Sequence, residues 1–211
     1  MTLKNMRIKI CGITNLDDAK AAADAGADAL GFILYPASKR FIPIECAIAI
    51  VEALPPFVQT VAVTVNANKE FSNLGWRKQL RQFGLAQLHG QESPVHVKAV
   101  GKYLPVIKVF AADRAAEFDP AVYAVSAFML DTPSKDHGGT GRTFDWSLAV
   151  AFKGRTVKPL ILSGGLTPEN VAKAVDLVQP YAVDVSSGVE SSPGKKDHAK
   201  LREFIRICKK F

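Results

Sequence analysis

The sequence has no apolar run of the roughly 20 residues that a membrane-spanning helix needs. Its first seven residues lack the apolar core of a secretory signal peptide. Neither a membrane partner nor export is therefore expected from the residues given.

Cysteine is scarce, and its placement excludes two classes of protein. The three cysteines, Cys11, Cys46 and Cys208, are odd in number and widely separated. This pattern fits no disulfide framework and no metal-ligand spacing. Free cysteines are typical of a reducing compartment, so we expect a cytoplasmic protein.

Clusters of Lys and Arg and basic–aromatic stripes are also missing, although the net charge is +7. Such a charge suits an anionic partner, and both small phosphorylated metabolites and nucleic acid qualify. Without a basic cluster the nucleic-acid interpretation is weak. It remains as an alternative, a nucleic-acid-binding protein without activity, which salt-dependent binding to random DNA would reveal.

What the sequence does contain is a regular alternation of apolar strand runs and helical patterns. The strands are predicted at 7–11, 29–34, 60–65, 85–89, 106–110, 127–131, 159–162 and 181–185. The helices are predicted at 16–25, 44–54, 74–83, 94–104, 115–125, 144–152, from 167, and 197–209. Eight repeated units predict an α/β protein with a closed parallel barrel, and an open doubly wound sheet is the alternative. Because no linker interrupts residues 1–211, we expect one domain, a (β/α)8 TIM barrel.

Two glycine-containing turns follow the last two predicted strands. They are Ser163-Gly164-Gly165 and Ser186-Ser187-Gly188. Glycine lets the backbone approach a ligand, and successive N–H groups can cradle an anion. Either turn alone could be a plain tight connection. Together, after strands 7 and 8 of a barrel, they favour a phosphate site.

Polar strand residues fall mostly on one side of the alternation. Because successive side chains of a strand face opposite sides, we expect this set inside the barrel and its apolar neighbours against the helices. The polar set is Lys9, Cys11, Thr64, Asn66, Gln87, His89, Lys108, Asp131, Ser163, Asp184 and Ser186. Its members at the strand ends, Cys11, His89, Asp131 and Ser186, would line the mouth where barrel enzymes act.

A thiol, a carboxylate, an imidazole and a phosphate site at one mouth predict acid–base chemistry on a sugar phosphate. Cys11 could act once ionised, and Lys9 on the same face could lower the pKa of the thiol. Asp131 is the candidate general acid. Simpler interpretations stay open: a purely structural role for Cys11 and for His89, a lysine partner for Asp131, and a solvated surface charge for Arg40.

A series of short motifs runs through the whole chain. The first is Lys9-Ile10-Cys11-Gly12-Ile13-Thr14-Asn15. The others follow in order at 31–32, 38–41, 87–90, 131–132, 138–141, 144–146, 164–166, 168–170, 184–190 and 193–197. Together they resemble the motifs of one enzyme family, the phosphoribosylanthranilate isomerases of tryptophan biosynthesis. The chain departs from the family pattern at Thr64, where an aromatic residue is frequent, and over residues 66–75.

The resemblance implies an Amadori rearrangement in the third step of tryptophan synthesis after anthranilate is made. N-(5'-phosphoribosyl)anthranilate would become 1-(2-carboxyphenylamino)-1-deoxyribulose 5-phosphate. Asp131 would be the general acid that protonates the ribose ring oxygen. Cys11, as thiolate, would be the general base that removes the C2′ proton. The alternative is a related barrel that acts on another phosphoribosyl compound, as in histidine synthesis. Such enzymes are expected to use two aspartates as general acid and general base, whereas this chain has Cys11 in the place of one of them.

The resemblance also implies the substrate contacts. Arg40 would bind the anthranilate carboxylate, and His89 and Asp184 would line the sugar site. The phosphate would be held by the backbones of Gly164, Gly165, Ser186, Ser187 and Gly188. The reaction implied requires no cofactor, no metal and no obligate protein partner.

Overall fold

The structure is a computed structural model that describes residues 6–133 and 143–211, with eight parallel strands at its centre. Strand β1 (Arg7–Cys11) pairs with β2 (Ala29–Ile33) and with β8 (Ala182–Val185), so the sheet closes on itself. Between them lie β3 (Gln59–Thr64), β4 (Leu85–Leu88), β5 (Val106–Ala111), β6 (Ala127–Asp131) and β7 (Leu160–Leu162). The predicted α/β barrel is confirmed, and the open sheet is excluded.

Helices alternate with most of these strands and cover the outside of the barrel. They are α1 (Leu16–Asp24), α2 (Ile44–Glu52), α3 (Asn68–Ser72), α4 (Leu74–Leu80), α5 (Pro94–Val100), α6 (Ser147–Lys153), α7 (Val171–Val178) and α8 (His198–Cys208). A hairpin of β9 (Glu190–Ser192) and β10 (Lys195–Lys196) lies between β8 and α8. Within residues 6–133 and 143–211, no helix is both long and apolar enough to cross a membrane.

Capping side chains determine where several helices begin. Asn15 Oδ1 accepts the N–H of Asp18 (2.8 Å), which confirms the predicted start of α1. Asp197 caps α8 in the same way. The predicted start of helix 7 at Thr167 is wrong by one turn. Asn170 Oδ1 accepts the N–H of Thr167 (2.8 Å), and this turn precedes α7.

Two loop regions differ from the prediction. Residues 66–73, for which no helix was predicted, contain the short helix α3. The helix predicted at 115–125 is instead two 3₁₀ helices, Ala112–Glu117 and Pro120–Val122. Proline disfavours a helical residue before it, and Asp119 is accordingly extended. The glycine-rich motif at 138–141 lies outside the described residues.

The buried side chains form two clusters, one on each side of the strand wall. The cluster inside the barrel consists of strand residues only, among them Val61, Val63, Ile107, Val109, Met129 and Ile161. The other cluster joins the strands to the helices and includes Ile8, Phe32, Phe128, Phe152 and Phe204. Both faces of each strand are therefore buried, as in other parallel barrels.

The predicted alternation is correct for most strands and wrong for β3 and β5. Val63 and Val109 point into the barrel, so Thr64 and Lys108 lie on the helix side. Lys108 is buried there, with its Nζ 2.9 Å from Glu92 Oε2. Asn66, also expected inside, accepts the backbone N–H of Gln91 (2.7 Å) through its side chain. A polar side chain can also be buried on the helix side of a strand, provided that a buried partner there forms its hydrogen bonds or ion pair. The polarity of a strand residue therefore does not by itself place it inside the barrel.

Candidate active site

The C-terminal ends of the strands surround a cavity of about 480 Å³. Its lining includes these residues singled out in the sequence: Cys11, Arg40, Gln87, His89, Asp131, Ser163, Gly164, Gly165, Asp184, Ser186 and Ser187. Gly188, also expected at the site, lies one residue beyond in the same turn. The barrel thus brings together residues more than 170 positions apart in the chain, such as Cys11 and Asp184.

At the floor of the cavity, Lys9 and Asp184 form a buried ion pair beside the thiol of Cys11. Lys9 Nζ lies 2.7 Å from Asp184 Oδ1, and Ser163 Oγ donates to Asp184 Oδ2 (3.2 Å). Gly31 on β2 makes room for this arrangement. A Cβ there would lie 2.8 Å from Cys11 Sγ and 2.9 Å from Lys9 Nζ.

The thiol of Cys11 is less acidic than the sequence led us to expect. Burial raises the pKa of Cys11, and the attraction of Lys9 counteracts this only in part. Asp184 raises the pKa of the thiol further, because a nearby carboxylate disfavours a thiolate. Lys9 lowers the pKa of the thiol, as predicted, but it does not cancel the effects of burial and Asp184, so the net pKa is raised.

The carboxylate of Asp131 is held by the backbone and by His89. Its Oδ1 accepts the N–H of Thr132 (2.7 Å), and its Oδ2 lies 3.2 Å from His89 Nε2. On the other side of the imidazole, Gln87 Nε2 lies 3.2 Å from His89 Nδ1. The carboxylate thus contacts an imidazole rather than the lysine considered from the sequence.

Arg40 is not a solvated surface charge. It is only 9% exposed, and its Nε and Nη2 donate to the carboxylate of Glu190 at 2.7–3.1 Å. Glu190 also lies 2.9 Å from Lys196 Nζ. The stem of Arg40 crosses Gly12, where a Cβ would lie 2.7 Å from Arg40 Cδ. Gly12 has φ +76°, a conformation that glycine adopts readily.

The two glycine turns pack directly against each other. A Cβ on Gly188 would lie 1.9 Å from the carbonyl oxygen of Leu166, just after the first turn. Gly164 and Gly165 have φ of +89° and +64°. Among the described residues, their N–H groups donate to no other group. Free N–H groups in a left-handed turn, with a short 3₁₀ helix (Ser187–Val189) opposite, can bind an anion.

Three residues at this site were not predicted from the sequence. Gln87 was expected inside the barrel but not beside His89, and Glu190 and Lys196 were noted only within motifs. The sequence offered one signal for Glu190 and Lys196: a carboxylate and a lysine lie close together in the chain, directly after a predicted anion-binding turn. No spacing rule connects them to Arg40, 150 residues earlier.

The described residues contain no group of three or more His, Cys, Asp or Glu side chains that could hold a metal ion. The expectation that no metal or cofactor is required stays a prediction.

Comparison with known proteins reveals close similarity over the whole chain. The family described as N-(5'phosphoribosyl)anthranilate (PRA) isomerase matches residues 8–207. The N-(5'-phosphoribosyl)anthranilate isomerase of Geobacter sulfurreducens is 51% identical over 207 residues, covering 97% of this chain and 98% of the relative.

Solved structures give the same result. The phosphoribosyl anthranilate isomerase of Thermotoga maritima aligns with a TM-score of 0.86 at 43% identity, covering 98% of this chain and 100% of the other. A phosphoribosyl anthranilate isomerase in complex with reduced 1-(o-carboxyphenylamino)-1-deoxyribulose 5-phosphate aligns with a TM-score of 0.82 at 42% identity, with the same coverage.

Proposed function

The chain belongs to the N-(5'-phosphoribosyl)anthranilate isomerase family, and we propose that it carries out the isomerisation with Cys11 as general base and Asp131 as general acid. The reaction is the Amadori rearrangement of N-(5'-phosphoribosyl)anthranilate to 1-(2-carboxyphenylamino)-1-deoxyribulose 5-phosphate, a step of tryptophan biosynthesis. A related isomerase for another phosphoribosyl compound and a nucleic-acid-binding barrel are set aside by this membership.

Asp131 acts first, as the general acid. Its carboxyl proton passes to the ribose ring oxygen, and the bond between that oxygen and C1′ breaks. The lone pair of the anthranilate nitrogen forms the C1′=N bond of a Schiff base. His89, 3.2 Å from Asp131 Oδ2, keeps the carboxyl group at the edge of the cavity.

Cys11 acts second, as the general base. Its thiolate takes the proton from C2′, and the electrons of that C–H bond form C1′=C2′ while the C1′=N electrons return to nitrogen. The resulting enolamine loses its 2′-hydroxyl proton and gains one at C1′, which gives the ketone. Because burial raises the pKa of the Cys11 thiol, only part of the enzyme holds the thiolate at neutral pH.

The substrate is a small phosphoribosyl compound that spans the cavity. Its phosphate lies between the turns 164–165 and 186–188, and its anthranilate carboxylate pairs with Arg40. His89 and Asp184 line the sugar between them. The analogue bound by a relative of 42% identity supports a ligand of this class.

One observation carries the assignment of roles. Cys11 and Asp131 open into the same cavity as the paired glycine turns, so a sugar phosphate held by those turns would reach both groups. We further propose that residues 1–211 act as one domain, in the cytoplasm and without an obligate protein partner.

Asp131→Asn tests the acid role by a fluorescence assay that follows the disappearance of phosphoribosylanthranilate. A positioned acid contributes roughly 10²–10⁴ in rate, so kcat should fall by that factor while a reduced product analogue still binds. The control is Asp176→Asn, on the exposed side of α7, which should behave like wild type. If Asp131→Asn keeps most of its kcat, another group donates the proton.

A further inference from the structure

The side chain of Arg40 is held in place by a residue from another part of the chain. Its Nε and Nη2 form three hydrogen bonds with Glu190, the first residue of β9. A guanidinium is a planar fork of five donors, so a carboxylate that occupies the Nε–Nη2 edge fixes the direction of the remaining Nη1 edge. Since Arg40 lines the cavity, that direction determines what it can bind there.

Glu190 is in turn fixed by Lys196, at the other end of the hairpin. The side chain of Lys196 is fully buried, and its Nζ lies 2.9 Å from Glu190 Oε1. The same Nζ donates to the carbonyl oxygens of Cys11 (2.6 Å) and Ser186 (3.3 Å). The hairpin therefore connects the carboxylate-binding arginine, the end of the strand that carries the base, and the phosphate turn.

Among the described residues, Glu190 is the carboxylate that contacts both Arg40 and Lys196. Burial lowers the pKa of Lys196, and the charge of Glu190 counteracts this only in part. Burial raises the pKa of Glu190, but the hydrogen bonds from Arg40 and the charge of Lys196 outweigh it, so the net pKa is lowered and the group stays ionised. An anionic ligand at the cavity wall would pair with the remaining Nη1 edge of Arg40.

We propose that Glu190 is a positioning residue that orients Arg40 for the aromatic carboxylate of the substrate, with Lys196 as its counter-charge. This inference rests on the proposed function, in which Arg40 binds that carboxylate. By charge alone, Glu190 would weaken the binding of an anion. By orientation it strengthens binding, because an arginine that is already fixed loses less side-chain freedom when the ligand arrives.

The test measures, by calorimetry, the affinities of two ligands that differ in one group. One is reduced 1-(o-carboxyphenylamino)-1-deoxyribulose 5-phosphate, and the other is its phenylamino counterpart without the carboxylate. Glu190→Gln should weaken binding of the first at least tenfold and of the second less than twofold. In an Arg40→Ala background, Glu190→Gln should cause no further loss, since its effect passes through Arg40.

Two controls keep the result interpretable. Glu190→Asp retains a charge for Lys196 but reaches less far, so it should fold even if Glu190→Gln does not, with a smaller loss that is again confined to the carboxylated ligand. Glu203→Gln, which removes an exposed partner of Arg206 on α8, should leave both affinities unchanged.

The outcomes separate this inference from the proposed function. Suppose first that Arg40→Ala weakens only the carboxylated ligand. If Glu190→Gln then weakens both ligands equally, or binds the carboxylated ligand more tightly, the role of Glu190 is overturned and that of Arg40 stands. If Arg40→Ala weakens both ligands equally, Arg40 does not bind the carboxylate, and the proposed role of Arg40 fails together with that of Glu190.

Discussion

Lys9 Nζ lies 2.7 Å from Asp184 Oδ1, and both side chains are buried at the floor of the cavity that Cys11 and Asp184 line. Burial disfavours the charge of Lys9, but Asp184 and the neighbouring Cys11 outweigh it and raise the pKa of the ammonium group. Lys9 therefore stays charged throughout the range in which an enzyme works. Of the neighbouring cations, it is the one that lowers the pKa of the Cys11 thiol most.

Replacing Lys9 by methionine should move the pH dependence of activity to the alkaline side. The active form of Cys11 is the thiolate, so activity rises as pH approaches the pKa of the thiol. Loss of the ammonium charge raises that pKa further, so activity at pH 7 should fall and recover partly as pH rises. The measurement is kcat against pH, with Lys9→Arg as the variant that keeps the charge. An ascending limb that does not move in Lys9→Met would show that Lys9 does not act on the thiol.

Replacing Gly188 by alanine should impair binding of the phosphate. The new Cβ would lie 1.9 Å from the Leu166 carbonyl oxygen, so the two turns must move apart. Losing one hydrogen bond to a charged group costs about 1.5–3 kcal/mol, which corresponds to a KM roughly ten- to hundredfold higher. Gly154→Ala, whose Cβ would have an ordinary 3.5 Å contact, is the control in the same steady-state assay. An unchanged KM for Gly188→Ala would argue against a phosphate between these turns.

Replacing Glu92 by glutamine should destabilise the barrel without touching the reacting groups. Glu92 pairs with the buried Lys108 and accepts the backbone N–H groups of Asn66 and Gly90. Removing one partner of a buried ion pair costs about 3–5 kcal/mol in the free energy of unfolding. Urea unfolding measures this loss, and Glu117→Gln, in an exposed pair with Arg114, is the control. A change no larger than that of the control would show that the Lys108–Glu92 pair does not stabilise the fold.

The same variant should change how stability depends on pH. Burial raises the pKa of Glu92, but Lys108 and the backbone donors outweigh it, so the folded-state pKa is lowered. A carboxyl group with a lowered pKa stabilises the fold above its unfolded-state pKa and loses that contribution as pH falls through the folded-state value. Acidification should therefore cost the wild type more stability than Glu92→Gln. Parallel acid unfolding curves for the two proteins would contradict this.

The barrel could be predicted from the sequence because its signal is repeated eight times, and errors at single elements do not change the result. The errors occur where the pattern of polar and apolar residues in one strand is compatible with either face pointing into the barrel. In β3 and β5 both faces are buried, so alternation alone could not tell whether Thr64 or Val63, and Lys108 or Val109, faces the interior. Pairing with Glu92, a contact between different elements, places Lys108 on the helix side.

The mouth residues were predictable to the extent that they lie at strand ends. Cys11, His89 and Asp131 needed only a barrel and the direction of its strands. The pKa of Cys11 was not predictable, because it depends on burial and on Asp184, which is distant in the chain. The pairing of Arg40 with Glu190 could not be predicted either, since it joins a loop after β2 to a hairpin after β8.

The most direct test of the central claim is the kcat of Cys11→Ser on phosphoribosylanthranilate. Serine keeps the shape of the side chain but offers a hydroxyl that ionises far less readily, so kcat should fall by at least roughly 10²–10⁴. Binding of the reduced product analogue should persist, because the phosphate turns are untouched. The exposed Cys46→Ser is the matched control and should retain wild-type kcat. A Cys11→Ser enzyme that keeps most of its activity would show that the thiol is structural and that the base must be sought among His89 and Asp184.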